Sequence, residues 1–302
     1  MRKIMCKAKC LSSIGLFTFI ACAPFGQAAS SPIPHATVEL IAENQWIAAG
    51  YTVNLGLHFQ LEKGWHIYWI NPGDSGEPPR VKWQLPTGFT AGAIEWPVPR
   101  RLGTSSIVDF GYEDGVTLIV PMHADAHLAA QQPAQFAAQI SVLVCREVCI
   151  PGKAQVSLTI PVRLQSPKTD SRTEELFATA RKSLPRPVPV SWKFGLAEEK
   201  GSFLLTASLG HQVNHALFYP LVESQVDNAA PQTLRPTASG FQMTLRKSDQ
   251  LIKPIERLKG VLVLSADQAF LIDVQVGKSD AGTNGYSVGT YPAKSSAKGE
   301  QK

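Results

Sequence analysis

Gln139-Ile140-Ser141-Val142-Leu143-Val144-Cys145-Arg146-Glu147-Val148-Cys149-Ile150-Pro151-Gly152-Lys153-Ala154-Gln155-Val156-Ser157-Leu158-Thr159-Ile160 is the stretch on which the reading of this chain turns. Apolar residues alternate into Cys145, and Val156, Leu158 and Ile160 alternate after Cys149, the period of two of half-buried strands. The two cysteines should therefore flank the turn of a β-hairpin. Facing residues of an antiparallel pair have Cα atoms roughly 4.5 to 5.5 Å apart, inside the window a disulfide needs, so a bond can form here without moving the backbone.

The same period recurs on either side of the hairpin. Val53, Leu55, Leu57 and Phe59 alternate with Asn54, Gly56 and His58, and Trp65, Ile67 and Trp69 alternate with His66 and Tyr68, with Glu62-Lys63-Gly64 as the turn between. Asn71-Pro72-Gly73-Asp74-Ser75-Gly76 and Glu77-Pro78-Pro79 read as a long irregular loop, and Val116–Val120 as a further strand. No amphipathic helix of ten or more residues is evident, so residues 29–165 are expected to form a β-sandwich. In residues 166–189, Thr169 or Asp170 can cap a short helix through Glu174, Leu176, Phe177 and Ala180, and Pro185-Arg186-Pro187-Val188-Pro189 ends it. This is read as a linker. Phe203–Ser208, Ala216–Pro220, Gly240–Leu245, Gly260–Leu264 and Phe270–Val276 then make residues 190–278 a second, smaller β-sandwich-like domain. The expected fold class is all-β. The Gly-, Ser-, Ala- and Lys-rich tail, 279–302, is expected to be disordered.

Charge excludes one class of partner. The chain has 302 residues, with 29 Lys and Arg against 24 Asp and Glu, a formal net charge of +5. Arg2, Lys3, Lys7 and Lys9 stand in residues 1–28 without an acid, and the tail holds Lys294, Lys298 and Lys302 against Asp280 and Glu300. The span between carries no net charge, so no electrostatic footprint for nucleic acid remains. Residues 1–28 have the layout of a secretory signal peptide: a cationic start, an apolar run from Leu11 to Cys22, and small residues to Ala28. Lipoprotein processing at Cys22 is the alternative. No later stretch has 18 consecutive apolar residues, so no transmembrane segment is expected in the mature chain.

Export changes the reading of the cysteines. Of five, Cys6, Cys10 and Cys22 lie in the leader, leaving Cys145 and Cys149 as a lone pair in an oxidising compartment. A bridge over three residues restrains the unfolded chain little, since closing a loop of 15 residues is worth only about 3 kcal/mol. Redox exchange, a structural disulfide and metal ligation all stay open. Arg146 favours thiolate formation and Glu147 opposes it, so the nucleophile is undecided.

Gly64-Trp65-His66-Ile67-Tyr68-Trp69, Asn71 to Gly76, Trp96-Pro97-Val98-Pro99-Arg100-Arg101-Leu102, Phe110-Gly111-Tyr112-Glu113 and Cys145 to Pro151 resemble, in this order, the periplasmic N-terminal domain of the DsbD-type thiol:disulfide interchange proteins. The ScsB-like branch, associated with copper tolerance, is the nearer match. Asp227-Asn228-Ala229-Ala230-Pro231-Gln232 and Leu258-Lys259-Gly260-Val261-Leu262 extend the resemblance loosely into the second domain. The resemblance implies an immunoglobulin-like fold and a periplasmic location. It makes Cys145 and Cys149 the redox pair, needing no cofactor, with a membrane-embedded thiol reductant and periplasmic thioredoxin-fold proteins as partners. It also implies a cap loop over the pair, with Pro99 to Phe110 as its counterpart; Arg100-Arg101-Leu102 stands where the best-known members carry an acidic-aromatic cluster. The chain lacks those members' polytopic segment and Cys-x-x-Cys domain, so either a separate membrane protein is expected to reduce it or the family scaffold has been reused.

Two other classes compete with exchange. Met122, His123 and His127 form a short soft-ligand stretch suited, with the thiols, to Cu(I). A non-catalytic interaction module with an inert disulfide is the other. Trp65, Trp69, Trp83 and Trp96 are read as core and loop anchors and His66 as a hydrogen-bonded structural histidine. Tyr112 and Glu113 are read as lying near the cysteines or in a plain turn, and Ser75 has no histidine arrangement to make it a nucleophile.

Overall fold

A computed structural model describes residues 30–103, 106–128 and 132–277. The leader, Cys22 and the tail 279–302 lie outside the described residues. Eleven strands precede a helix: β1 (Ser31–Ile33), β2 (Ala36–Ala42), β3 (Thr52–Leu61), β4 (His66–Gly73), β5 (Arg80–Gln84), β6 (Phe89–Ala91), β7 (Arg100–Gly103), β8 (Val108–Glu113), β9 (Gly115–Ala124), β10 (Ala134–Cys145) and β11 (Cys149–Ile160). They form two sheets, one ordered β1-β2-β3-β9-β6 and the other β11-β10-β4-β8-β7 with β5 also on β10. Alternation decides what lies between them. Leu55, Leu57 and Phe59 of β3 and Leu118 and Val120 of β9 meet Ile67 and Trp69 of β4 and Phe136 and Ile140 of β10 in one apolar core, the arrangement of a β-sandwich. Phe136 packs edge-to-face on Phe89 at 4.9 Å.

Helix α1 (Glu174–Lys182) starts after Thr173, later than the caps expected at Thr169 or Asp170. Asp170 instead ties the approach: its backbone carbonyl accepts from the amides of Thr173 and Glu174, and its carboxylate pairs with Arg172. The helix lies on the first sandwich, with Phe177 and Ala180 buried against Ile41 and Ile119. Arg181 reinforces the docking through an ion pair with Glu43.

The remaining strands are β12 (Arg186–Pro187), β13 (Lys193–Glu199), β14 (Ser202–Ser208), β15 (Leu217–Pro220), β16 (Thr233–Thr237), β17 (Gly240–Arg246), β18 (Arg257–Ser265) and β19 (Gln268–Gln275). They make two four-stranded sheets, β12-β19-β18-β15 and β13-β14-β17-β16, around a second core that includes Phe203, Phe218, Phe241, Met243 and Leu262. Because successive residues of a strand face opposite ways, β15 and β18 serve both cores: Phe218 and Leu262 enter the second, while Tyr219 and Val261 enter the first. The Tyr219 ring meets Trp69 at 6.4 Å and Phe110 at 5.3 Å, both edge-on. Among the described residues no helix is long and apolar enough to cross a membrane.

Candidate functional site

The β10–β11 hairpin holds register from Ala134–Ile160 to Cys145–Cys149, so the two cysteines close the ladder as directly facing residues. Their Cα atoms are 4.1 Å apart and their sulfurs are bonded as a disulfide. Val142 and Val144 point into the core, which sends Cys145 to the outer face of the sheet. On that face cross-strand pairing makes a row: Glu113 of β8 faces His66 of β4, His66 faces Cys145 of β10, and Cys145 faces Cys149 of β11.

Sheet order makes the two sulfurs unequal. Cys145 has a strand on either side and is 1% exposed. Cys149 sits on the edge strand and is exposed, as is the turn of Arg146, Glu147 and Val148, with Val148 62% exposed. Arg146 is engaged by its neighbours: its guanidinium lies 5.1 Å over Trp65 and its Nε donates to Glu147 at 2.6 Å. Trp65 in turn stacks on His35 at 3.8 Å. Trp65, Trp69 and Trp96 are buried, as expected of anchors, and Trp83 is half-buried.

Tyr68 also lies on the outer face, two residues from His66, yet it is only 1% exposed because the segment after β4 folds back over it. Its hydroxyl is 3.4 Å from Cys149 Sγ; a disulfide sulfur carries no hydrogen, so the phenol donates. Burial pushes the phenol's pKa up, the Ser75 hydroxyl opposes the rise and Asp109 adds to it, which keeps the donor protonated at neutral pH. The covering segment is tied to the β7–β8 hairpin. Ser75 donates to Asp109 through its amide at 3.0 Å and its hydroxyl at 2.9 Å, and the Val108 amide donates to Asp74 at 2.8 Å. Burial raises the Asp109 pKa; the Ser75 hydrogen bonds and His66 work against that, and Asp74 with it. Of the segment expected as the cap, residues 104 and 105 lie outside the described residues; the described part, in β7 and β8, reaches the pair at second hand, by holding residues 73–76 over Tyr68.

Several expectations change here. His66 was expected to be hydrogen-bonded, but its buried Nε2 has no partner; burial lowers its pKa, with Asp109 and Glu113 opposing. Tyr112 is buried and donates to the Pro97 carbonyl at 2.8 Å, whereas Glu113 lies in the row with His66. The copper ligands are not brought together. Met122 is in the apolar core, and its neighbour His123 faces the other way, with Nδ1 3.0 Å from Thr52 Oγ1. His127 follows in a turn, its backbone amide on Asp125. Among the described residues no group of three or more His, Cys, Asp or Glu is placed to hold a metal ion. Sequence reasoning missed Tyr68 and Asp109 as site residues; the period of two that sets Tyr68 on the face of His66 was the available signal.

Residues 37–161 match the family model described as thiol:disulfide interchange protein DsbD, N-terminal. This segment is similar to the N-terminal domain of the DsbD-type proteins. Its immunoglobulin-like, all-β architecture and the disulfide at its sheet edge agree with the thiol:disulfide interchange family. Among solved structures, the chain is similar to the N-terminal periplasmic domain of ScsB from Proteus mirabilis, at 17% identity and a TM-score of 0.61. That similarity covers 83% of this chain and all of the other, so the fold likeness extends beyond the DsbD-type segment into the second set of strands. No curated protein matches the chain.

Proposed function

We propose that Cys145 and Cys149 are a redox pair that relays reducing equivalents between a membrane-embedded thiol reductant and thioredoxin-fold proteins of the periplasm. The observation that carries this reading is the asymmetry of the pair: an exposed Cys149, with a buried phenol donating to its sulfur, bonded to a Cys145 that is buried. An incoming thiolate attacks Cys149 Sγ in line with the sulfur–sulfur bond. That bond breaks, Cys145 leaves with its electron pair and takes up a proton, and a mixed disulfide joins Cys149 to the donor. The donor's second thiolate then attacks the donor sulfur of the mixed disulfide and releases Cys149. Two electrons have entered the pair, and the donor's two thiols are now a disulfide.

Delivery runs the same steps backwards. Cys149 thiolate attacks the acceptor's disulfide, and Cys145, held beside it on the neighbouring strand, resolves the intermediate by attacking Cys149 Sγ. Tyr68 acts on the sulfur that is exchanged: its O–H stabilises Cys149 whenever that sulfur carries charge. Val148 beside it offers an apolar contact for a partner that must bind briefly and release.

The test is trapping. Cys145→Ser in the exported protein removes the resolving sulfur and should accumulate mixed disulfides through Cys149 with periplasmic thioredoxin-fold proteins, whereas Cys149→Ser should accumulate none. Absence of adducts with both variants would overturn the proposal.

A further inference from the structure

The second β domain reaches the disulfide through an unbroken set of contacts, although its strands lie on the far side of the helix in sequence. Asn71, 1% exposed, donates through Nδ2 to the Pro220 carbonyl at 2.7 Å, and its own Oδ1 accepts the Gly73 amide at 3.0 Å. Asn228, also buried, donates to Asp74 Oδ1 at 2.8 Å, while Asp74 Oδ2 takes the Val108 amide. Tyr219 wedges its ring against Trp69 and Phe110, the inward neighbours of Tyr68 and Asp109. Residues 71–76 are therefore held at one side by the β7–β8 hairpin and at the other by the second domain.

The path of this segment leaves no room for slack. Gly73 has φ +94°, and a Cβ there would stand 2.4 Å from the Val108 carbonyl oxygen. Gly76 has φ +81°, and a Cβ there would stand 2.1 Å from Cζ of Tyr68, the carbon that bears the hydroxyl. Both positions need glycine for conformation and for space. The backbone at Gly76 thus lies flat on the hydroxyl end of the Tyr68 ring, and that hydroxyl is the group that meets Cys149 Sγ.

We infer that the second β domain is a positioning element for the redox pair: Asn228 and the Pro220 carbonyl hold residues 71–76 as a strap over Tyr68, and the strap fixes the phenol on Cys149. This builds on the exchange reading above and extends it to residues outside the DsbD-type segment. A phenol held in place stabilises the Cys149 thiolate and so favours the reduced pair; a loosened strap gives up part of that effect without touching either cysteine.

The experiment uses the full mature chain and glutathione as the probe, so it needs no partner protein. The equilibrium between the disulfide and the dithiol is measured in glutathione redox buffers at about pH 9, above the ordinary thiol range so that the thiolate is a major form of the reduced pair, for wild type, Asn228→Ala, Tyr68→Phe and the double variant, with a thermal melt of each. Asn228→Ala should shift the equilibrium about threefold toward the disulfide, and the double variant should match Tyr68→Phe alone, because both act through one hydroxyl. Should Asn228→Ala not fold, Asn228→Asp preserves the shape, sets a carboxylate against Asp74, and is read in the same way. An unchanged equilibrium in a folded Asn228 variant, or effects of Asn228 and Tyr68 that multiply, would overturn the inference. Failure to trap partners would instead count against the exchange reading and leave this measurement standing.

Discussion

Tyr68→Phe is the most direct probe of the site, because it removes one atom and leaves the ring that Gly76 rests on. In the oxidised protein the lost contact is a hydrogen bond to a neutral sulfur at 3.4 Å, of small consequence. In the reduced protein the acceptor is a thiolate, and hydrogen bonds to charged groups contribute about 1.5–3 kcal/mol. Cys149 is exposed, so water takes over part of the role and the lower end applies. About 1.4 kcal/mol corresponds to roughly a tenfold loss of thiolate at any pH where the thiol form dominates. The assay is the rate of alkylation of Cys149 by iodoacetamide from pH 5 to 9, in a Cys145→Ser variant of residues 29–302, where Cys149 is the one remaining thiol. The Tyr68→Phe rate should fall about tenfold on the acid side and converge with the parent at high pH, where both are fully ionised. Coincident curves across the whole range would refute the assignment of the phenol as donor to Cys149.

Phe136→Ala empties a fully buried site at the centre of the first core, where the ring packs edge-on against Phe89, and should cost about 3–5 kcal/mol by urea unfolding. Arg181→Ala tests how α1 is held. Burial pushes the Glu43 pKa up, but hydrogen bonds from Arg181 and Asn54 outweigh it and the net direction is down. A depressed carboxylate pKa stabilises the fold above the ordinary carboxylate range and stops doing so as the pH falls through the folded-state value. The variant should therefore be less stable than wild type by about 1 kcal/mol at pH 7, with the gap closing in acid. Reduction of the disulfide should lower the melting temperature by only about 4–8 °C, from a loop-closure contribution of about 2 kcal/mol for so short a loop; calorimetry with and without reductant checks it.

Local pattern carried the fold further than it carried the site. The alternation of Val53–Phe59 and of the residues around Cys145 and Cys149 is a property of a few neighbouring residues, and it gives strands β3, β10 and β11 and the facing pair directly. Short strands such as β1, β6 and β7 have three or four residues and too few alternations to rise above loop composition. The helix was legible in Phe177 and Ala180, but its start was not, because Asp170 binds the approach to α1 rather than its first turn. Met122 and His123 show what pattern alone could have added to the copper alternative: adjacent residues of a strand face opposite sides, so the two cannot share a metal without leaving β9. The site's polar ties were out of reach for a different reason. Ser75 meets Asp109 across 34 positions and Asn228 meets Asp74 across 154, and no local period encodes contacts between strands whose order is not yet known.

That order is also what separates the two sulfurs. Read as a hairpin alone, Cys145 and Cys149 are equivalent, two facing residues at the end of one ladder. Adding β4 on the far side of β10 buries Cys145 behind His66, while β11, with no further strand beyond it, leaves Cys149 to solvent. An edge strand is ordinarily a hazard, since its unpaired groups invite other chains. Here the edge ends in an exposed cysteine, an exposed valine and a phenol pointed at the cysteine sulfur, so an approaching chain meets Cys149 before Cys145. The twelve-residue β10–β11 ladder and the core beneath it survive opening of the bond, because so short a loop gave the fold little of its stability. A bond that holds little and faces outward is suited to being exchanged.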